Sequence, residues 1–192
     1  MPLNYKVTTW DEIVKKTLKL CEAIKNSGFK PDIIVFILRG GATLSSVIAD
    51  CLGLRDVAAV RATLYKKIGE PEEEAKIIQP LTVDVRGKKV LVLDDVSDTG
   101  KTLKAVIEHI KEKGAKEIRV ATIHYKPWSI VEPDFYIEET DHWIVYPWEY
   151  HEFIDEVSKR LENGEFQGED RKKSEEALNL VMRLLSDLKK DD

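Results

Sequence analysis

Two adjacent carboxylates, Asp94 and Asp95, stand at the end of an apolar run that begins at Val90. Such a run predicts a buried strand, because parallel strands that are covered on both faces carry near-continuous apolar residues. Two successive carboxylates on a buried strand are costly without a cation or a hydroxyl partner. The pair therefore predicts a site for hydroxyl groups, for a cation or for both.

A turn of small polar residues follows this strand and reads Ser-Asp-Thr-Gly-Lys-Thr from Ser97 to Thr102. A helical pattern begins directly after it. The turn favours an anion, because the first N–H groups of a helix have no partner within the helix and the helix dipole is positive there. The chemistry of ribose 5-phosphate matches this arrangement, because the carboxylates can bind a diol and the adjacent turn can bind a phosphate.

Two other interpretations of this stretch are weaker. Gly100-Lys101-Thr102 ends like a nucleotide-binding P-loop, but that motif requires glycine at the position of Asp95. An ordinary strand followed by an N-capped helix leaves the two buried carboxylates unexplained.

The stretch from Val90 to Thr102 resembles the phosphoribosyl pyrophosphate (PRPP) motif of type I phosphoribosyltransferases: four apolar residues, two acidic residues, then Asp-Thr-Gly-x-Thr. The resemblance implies that Asp94 and Asp95 hold the ribose hydroxyls and the Mg²⁺ bound with PRPP. It also makes Asp98 the catalytic candidate, as the group that hydrogen-bonds N7 of a purine and helps to remove a proton. The residues that it implies in the loop that binds the 5-phosphate are Asp98, Thr99, Gly100, Lys101 and Thr102.

A second loop, Arg39-Gly40-Gly41, follows the run from Asp32 to Leu38, which is apolar on both faces and predicts an interior strand. Open α/β sheets bind ligands at the carboxyl ends of such strands, and glycines let backbone amides approach an anion. In the family that the PRPP motif resembles, a short loop here holds the pyrophosphate of PRPP, often with a cis peptide bond. A tight turn with a solvated arginine is the alternative.

Periodicity fails between Tyr65 and Pro80, which is a long span for a connection in a compact domain. By its place before the PRPP strand, the span 65–80 resembles the mobile hood of the family. A solvated hairpin is the other interpretation, and the two are compatible.

The strand predicted over Ile118 to Tyr125 ends at Lys126, a residue that either donates to a ligand or extends along the surface. The segment 126–149 resembles the purine end of hypoxanthine, guanine and xanthine phosphoribosyltransferases. The resemblance implies that Lys126 contacts O6 of the base, that Trp143 stacks on the base and that Ile144 offers its backbone carbonyl.

The same family places a carboxylate a few residues later that helps to hold magnesium. Here that residue is Glu149, where aspartate is common in the family. Glu149 thus joins Asp94 and Asp95 as a candidate metal ligand, with a role at a helix N-terminus as the alternative.

Composition excludes several classes of function. The 192 residues contain 30 Lys+Arg and 35 Asp+Glu, a net charge of −5, which gives no electrostatic reason to expect nucleic acid or an anionic membrane as a partner. No apolar run approaches the roughly 20 residues of a membrane helix, and the first residues lack a signal-peptide core. Cys21 and Cys51 are isolated and fit a reducing compartment. A cytoplasmic location is expected.

Strands that alternate with helices predict an α/β protein. The resemblance makes this the type I phosphoribosyltransferase fold, a mostly parallel, doubly wound sheet flanked by helices. We expect a phosphoribosyltransferase domain over residues 1–150 and a C-terminal helical extension over 151–192, where two amphipathic patterns are separated by Asn163 to Gly168. The extension could cover the base, form a dimer contact or buttress the sheet.

The resulting hypothesis is an enzyme of purine salvage, a glycosyltransferase that transfers the phosphoribosyl group of PRPP to N9 of a purine and releases pyrophosphate. Hypoxanthine, guanine or xanthine is favoured, because Lys126 offers only donors and a 6-oxopurine presents an acceptor. Adenine is the alternative, since some archaeal adenine phosphoribosyltransferases resemble this branch. A non-catalytic PRPP-binding regulator is the hypothesis of another class. We expect a homodimer or a higher homo-oligomer.

Overall fold

The computed structural model describes residues 4–66 and 73–188 of the chain. The helices in this part are α1 (Trp10–Asn26), α2 (Gly40–Leu52), α3 (Lys101–Glu112), α4 (Tyr150–Glu162) and α5 (Gly168–Asp187). The strands are β1 (Tyr5–Val7), β2 (Ile33–Ile37), β3 (Val57–Lys66), β4 (Glu73–Gln79), β5 (Lys89–Leu93), β6 (Val96–Ser97), β7 (Glu117–Ala121), β8 (His124–Tyr125), β9 (Glu138–Glu139) and β10 (Trp143–Val145).

The chain divides into two compact units. The first, which we call the sheet unit, comprises residues 14–140, and the second, the terminal unit, comprises the residues up to 13 and those from 141 onward. The domain boundary expected at residue 150 stays a prediction.

A five-stranded sheet of order β4-β3-β2-β5-β7 forms the centre of the sheet unit. Strand β5 lies between β2 and β7 and is parallel to both, with Val92 opposite Val35 and Leu93 opposite Ala121. The buried core of this unit combines these strands with the apolar side of α3, and it comprises Ile33, Val35, Ile37, Val60, Leu81, Val85, Val90, Val92, Leu103, Val106, Ile110 and Val120. The α/β expectation is confirmed, and the apolar run before Asp94 is indeed an interior strand.

One strand is shorter than the sequence predicts. The run Ile118 to Tyr125 was expected to be continuous, but β7 ends at Ala121 and β8 belongs to a separate three-stranded sheet of order β6-β8-β9. The cause is local, because the Asp95 carbonyl accepts the N–H groups of both Ile123 and His124 at 3.0 Å. This break carries the chain out of the main sheet and alongside the residues that follow Asp95.

The span expected as a hood, 65–80, contains the antiparallel strand β4, which pairs with β3 from Arg61 to Lys66. The hairpin interpretation is therefore correct for its described part. Residues 67–72 lie outside the described residues, and the hood function of this span stays a prediction.

The terminal unit joins β1 and β10 as a parallel pair, with Lys6 opposite Ile144. Helices α4 and α5 pack in the same unit around a second apolar core, which comprises Val145, Tyr150, Phe153, Val157, Phe166, Ala177 and Val181. The two amphipathic patterns after residue 150 are thus real helices. None of the helices in the described ranges is long and apolar enough to cross a membrane.

Both cysteines carry free thiols, as expected. The structure nevertheless brings Cys21 of α1 next to Cys51 of α2, and burial together with this neighbouring thiol raises the pKa of Cys21 to about 12. Sequence spacing gave no indication of this contact.

His109 of α3 provides a test of the fold by pH. Its Nε2 accepts the backbone N–H of the core residue Leu81 at 3.1 Å, and burial, reinforced by Lys113, lowers the pKa of His109. The native state then binds fewer protons than the unfolded state, so this contribution to stability is complete above the unfolded-state pKa of about 6.5. It is lost as the pH falls through the lower, folded-state pKa.

We therefore expect the free energy of unfolding to fall between about pH 7.5 and about pH 5, and to fall less in His109→Gln, which keeps an acceptor but does not titrate. Urea unfolding at several pH values measures this. Asn179→Gln, a change at an exposed helical residue that does not titrate, serves as the control and should keep the wild-type dependence. Identical pH dependence in all three proteins would contradict the role of His109.

Candidate active site

The two carboxylates at the end of β5 are both buried, with Asp94 9% and Asp95 8% exposed. The backbone holds them in place: the Asp94 N–H donates to Ala121 O at 3.2 Å, and the Asp95 N–H donates to the Asp94 carboxylate at 3.1 Å. Both side chains line a cavity of about 210 Å³ at the carboxyl edge of the sheet. The other residues that line it are Leu64, Val96, Ser97, Asp98, Thr99, Gly100, Thr102 and Leu103.

The polar turn predicted to bind phosphate forms one wall of this cavity. Gly100 has φ of 76°, in the left-handed region, and α3 begins at Lys101. The positive φ reverses the chain so that the helix starts directly beside Asp94 and Asp95. The first turn of α3 contributes Thr102 and Leu103 to the same cavity, and its Lys101 N–H donates to Thr99 Oγ1 at 3.4 Å, so the positive end of the helix dipole lies where an anion would bind.

The loop Arg39–Gly41 reaches the same place from β2. The Leu38–Arg39 peptide bond is cis, as the family resemblance led us to expect. Glycine is required at both following positions, because a Cβ on Gly40 would overlap the Asp95 carboxylate and a Cβ on Gly41 would overlap the Leu93 carbonyl oxygen. The predicted pyrophosphate loop and the predicted ribose carboxylates are therefore in direct contact.

Lys126 is buried, with 5% of its surface exposed, and so is not the surface lysine that the alternative interpretation required. Its ammonium nitrogen lies 5.4 Å from the centroid of the Trp128 ring, a geometry that favours a cation–π interaction. Its backbone N–H donates to Ser97 O at 3.0 Å. The predicted base contact is thus tied to the phosphate loop through the backbone.

Trp143, Ile144 and Glu149 belong to the terminal unit, where they line a cavity of about 120 Å³ together with Val145, Glu152, Phe153 and Glu156. The Trp143 ring is 57% exposed, whereas Ile144 is buried within β10. An exposed indole face is available for stacking. The nearby Trp148 stacks on Tyr146, with ring centroids 4.7 Å apart.

Sequence reasoning missed a polar cluster under β8. The Lys16 ammonium donates to His124 Nε2 at 2.9 Å and to the Glu138 carboxylate at 2.7 Å, and His124 is fully buried. An ammonium group can only donate, so Nε2 accepts and the imidazole proton lies on Nδ1. No pattern could reveal this cluster, because its members come from α1, β8 and β9.

Two carboxylates on one cavity wall are suitable ligands for Mg²⁺, which in phosphate-handling sites takes one or two protein carboxylates and completes its shell with substrate and water oxygens. Among the described residues, no group of three or more His, Cys, Asp or Glu side chains is arranged to hold a metal ion by itself. The donor set therefore fits a cation that arrives with a phosphorylated ligand.

The sequence of residues 6–155 matches the family described as "Phosphoribosyl transferase domain". This chain belongs to the phosphoribosyltransferase family. The match covers the whole sheet unit and the strand that carries Trp143, so the motif, the fold and the family description agree.

Among proteins related to this phosphoribosyltransferase, the xanthine-guanine phosphoribosyltransferase of Nitratidesulfovibrio vulgaris strain Hildenborough is 31% identical over 143 residues, which cover 73% of this chain and 82% of that protein. The solved purine phosphoribosyltransferase of Pyrococcus horikoshii is 38% identical, with a TM-score of 0.69, and the match covers 76% of this chain and 94% of that one. A Neisseria gonorrhoeae protein solved with bound ppGpp is 29% identical, with a TM-score of 0.69, over 84% of this chain and 98% of that one.

The contact between the two loops of this phosphoribosyltransferase can be tested with Gly40→Ala. The added methyl group must displace the Asp95 carboxylate, and a misplacement of about 1 Å at a reacting centre can cost roughly 100-fold. We expect the variant to lose about 10- to 100-fold in kcat/KM for PRPP while it remains folded by circular dichroism.

Gly28→Ala is the matched control, because a Cβ at Gly28 meets nothing within 4 Å. An alanine at Gly28 adopts a strained positive φ of 73°, a strain that Gly40→Ala does not carry, so Gly28→Ala tests whether lost stability alone lowers kcat/KM. Wild-type kcat/KM for PRPP in Gly40→Ala would show that the two loops do not act together.

Proposed function

We propose that this phosphoribosyltransferase is an enzyme of purine salvage that converts PRPP and a purine base to a purine nucleoside monophosphate and pyrophosphate. The observation that carries the proposal is the single cavity in which the Asp94–Asp95 pair faces the Ser97–Thr102 turn. A carboxylate pair that can bind a diol, next to a turn that can bind a phosphate, fits the ribose 5-phosphate half of PRPP. The purine enzymes among its relatives support the choice of acceptor.

In this proposal the ends of the substrate that do not react supply the binding energy. Asp94 and Asp95 bind the ribose hydroxyls, and the backbone N–H groups at the start of α3, with the Thr102 hydroxyl, bind the 5-phosphate. Binding energy far from C1 then orients the reacting carbon.

The pyrophosphate leaves toward Arg39, Gly40 and Gly41. The C1–O bond breaks and the N9–C1 bond forms, so that the electron pair of the broken bond stays on pyrophosphate and the N–H proton of the base is released. The Arg39 guanidinium and the loop amides balance the charge of the leaving group. Mg²⁺, which Asp94 and Asp95 would hold together with PRPP, neutralises further pyrophosphate charge when it is bound.

Asp98 is proposed to take up the proton, because it is exposed at the cavity between two residues whose backbones are held in place. A carboxylate there can hydrogen-bond N7 of a purine and favour loss of its proton. Lys126 is proposed to donate to O6, Trp143 to stack on the ring and Ile144 to accept from the base through its carbonyl. Glu149 stays a proposed further ligand of the metal.

We propose a preference for the 6-oxopurines hypoxanthine, guanine and xanthine over adenine. The buried Lys126 has only donors, and placing it opposite the amino group of adenine in a dry pocket costs about 1–3 kcal/mol. The relatives named for xanthine and guanine support this choice.

A second candidate is a nucleotide-binding regulator on the same scaffold. It is favoured by the solved Neisseria gonorrhoeae protein with bound ppGpp, a ligand that combines a purine with phosphate chains. Catalysis distinguishes the two functions, since a regulator binds without turnover.

The deciding assay mixes the pure protein, MgPRPP and each of guanine, xanthine, hypoxanthine and adenine, and measures nucleotide and pyrophosphate. We expect turnover with the oxo bases and a preference of at least about 10-fold over adenine, which Lys126→Ala reduces toward unity. Lys111→Ala, at an exposed lysine of α3, is the control and should keep the wild-type ratio.

No nucleotide from any base would favour the regulator. A preference for adenine, or a ratio that Lys126→Ala leaves unchanged, would mean that Lys126 does not select the group at position 6.

The roles within the turn from Ser97 to Thr102, which we call the PRPP loop, predict opposite kinetic changes for two variants. Asp98→Asn should lower kcat by about 100-fold or more with little change in the Kd for PRPP, because a proton acceptor acts in the transition state. Thr102→Ala should raise that Kd by about 10-fold with a smaller change in kcat, since a phosphate ligand acts in both states. Steady-state kinetics and calorimetric titration separate the two. Parallel changes in both variants would refute the assignment.

Two expectations from the sequence also stay proposals: a cytoplasmic location and a homodimer or higher homo-oligomer. Light scattering during gel filtration measures the second.

A further inference from the structure

The segment Lys126–Val131 contacts the PRPP loop at several points. The Lys126 N–H donates to Ser97 O at 3.0 Å, and the Ile130 N–H donates to Thr99 O at 3.1 Å. The contact is therefore made at two points of the loop, on either side of the catalytic candidate Asp98.

Two serine hydroxyls close a ring of hydrogen bonds between these segments. Ser97 Oγ lies 2.7 Å from Val131 O and 2.8 Å from Ser129 Oγ, and Ser129 Oγ lies 3.2 Å from the same carbonyl oxygen, so one hydroxyl donates to this carbonyl while the other donates to its partner hydroxyl. Ser129 Oγ in turn accepts the Val131 N–H at 3.4 Å. The two hydroxyls and the peptide groups of Val131 thus form a closed ring of hydrogen bonds.

The fit at Gly100 makes this contact close. A Cβ at Gly100 would lie 2.5 Å from Ser129 Oγ and 2.7 Å from Val131 N, so only glycine lets the two backbones approach this far. Position 100 therefore requires glycine for two reasons: the left-handed φ at the start of α3, and the close approach of Ser129.

Ser97 is completely buried, whereas Asp98 and Thr99 are exposed at the cavity. The loop is held on its buried side and presents the residues that would meet PRPP on the other. These side-chain hydrogen bonds already hold the loop in its binding geometry, so little conformational entropy is lost when substrate binds.

We propose that Ser129 is a positioning residue of the enzyme, which acts through Ser97 to hold the PRPP loop in the conformation that binds the 5-phosphate. Ser129 does not touch substrate in this proposal. The proposal rests on the proposed function for the identity of the ligand, PRPP, and on the ring of hydrogen bonds for the role of the residue.

The experiment is a double-mutant cycle of Ser129→Ala, Ser97→Ala and the double variant, with the Kd for MgPRPP from calorimetry and kcat from steady-state kinetics. We expect Ser129→Ala to raise the Kd by roughly 3- to 10-fold and to change kcat by less than about 2-fold, since net hydrogen bonds of this kind are each worth about 1 kcal/mol. The double variant should be no weaker than the weaker single variant, because either change opens the same ring.

Ser27→Ala is the matched control, since its hydroxyl, one residue after α1, donates to Ile24 O and accepts the Phe29 N–H, and neither partner belongs to the PRPP loop. It should keep the wild-type Kd. Hydrogen exchange of the peptide that covers Asp98 to Lys101 provides a second measurement, and we expect faster exchange in Ser129→Ala with unchanged exchange in β2. If Ser129→Ala does not fold, Ser97→Ala opens the ring from the other side and gives the same tests.

An unchanged Kd in Ser129→Ala, or effects that multiply in the double variant, would overturn the proposal while the proposed function stands. Failure of the wild-type protein to bind PRPP would overturn the proposed function, and the role of Ser129 toward PRPP with it.

Discussion

The placement of two buried carboxylates at the end of the interior strand β5 is the constraint on which the rest of the sheet unit depends. Asp94 and Asp95 are themselves buried there, where desolvation makes a negative charge expensive. The backbone around the two side chains is arranged to accommodate these charges. An N–H group bonds the Asp94 carboxylate, and glycine lies against the carboxylate of Asp95 because no other residue leaves room for it.

The same position explains why the main sheet stops where it does. Strand β7 ends at Ala121, and the N–H groups of Ile123 and His124 both donate to the Asp95 carbonyl at 3.0 Å. By leaving the sheet, the chain forms β8 beside β6 and arrives at Lys126 next to the PRPP loop. The cluster of Lys16, His124 and Glu138 then satisfies a buried imidazole under this second sheet, within the same unit. The backbone of Asp95 thus determines where the main sheet ends, while its side chain lies at the candidate site.

Much of this was predictable, because it is encoded in contiguous residues. The strand, the carboxylates and the turn occupy thirteen consecutive positions from Val90 to Thr102, and their order alone identifies the ligand class and the family. The glycines at positions 40 and 41 were also informative, since a strand that ends in two glycines indicates a close backbone approach.

The missed features share a physical cause, which is that they join residues distant in sequence through single side chains. Lys16 and His124 are 108 residues apart, and Ser97 and Ser129 are 32 apart. Lys16 sits in an ordinary amphipathic helix, and Ser129 in a stretch with no periodicity. The contact of Cys21 with Cys51 depends on how α1 and α2 pack and is equally invisible to spacing. The end of β7 was missed because an apolar run continues past it to Ile123, whereas backbone bonding decides where a strand stops.

Neighbouring side chains of the Lys126–Val131 segment differ in what they contact, and this affects how substrate preference can evolve. Ser129 is turned toward the PRPP loop, while the large side chains on either side of it, Trp128 and Ile130, are exposed. The Trp128 ring centroid lies 5.4 Å from the Lys126 ammonium nitrogen, so a substitution at position 128 can change the surroundings of Lys126 without opening the ring that holds the loop. Evolution can therefore vary the neighbours of the proposed base contact separately from the hydrogen bonds that hold the PRPP loop.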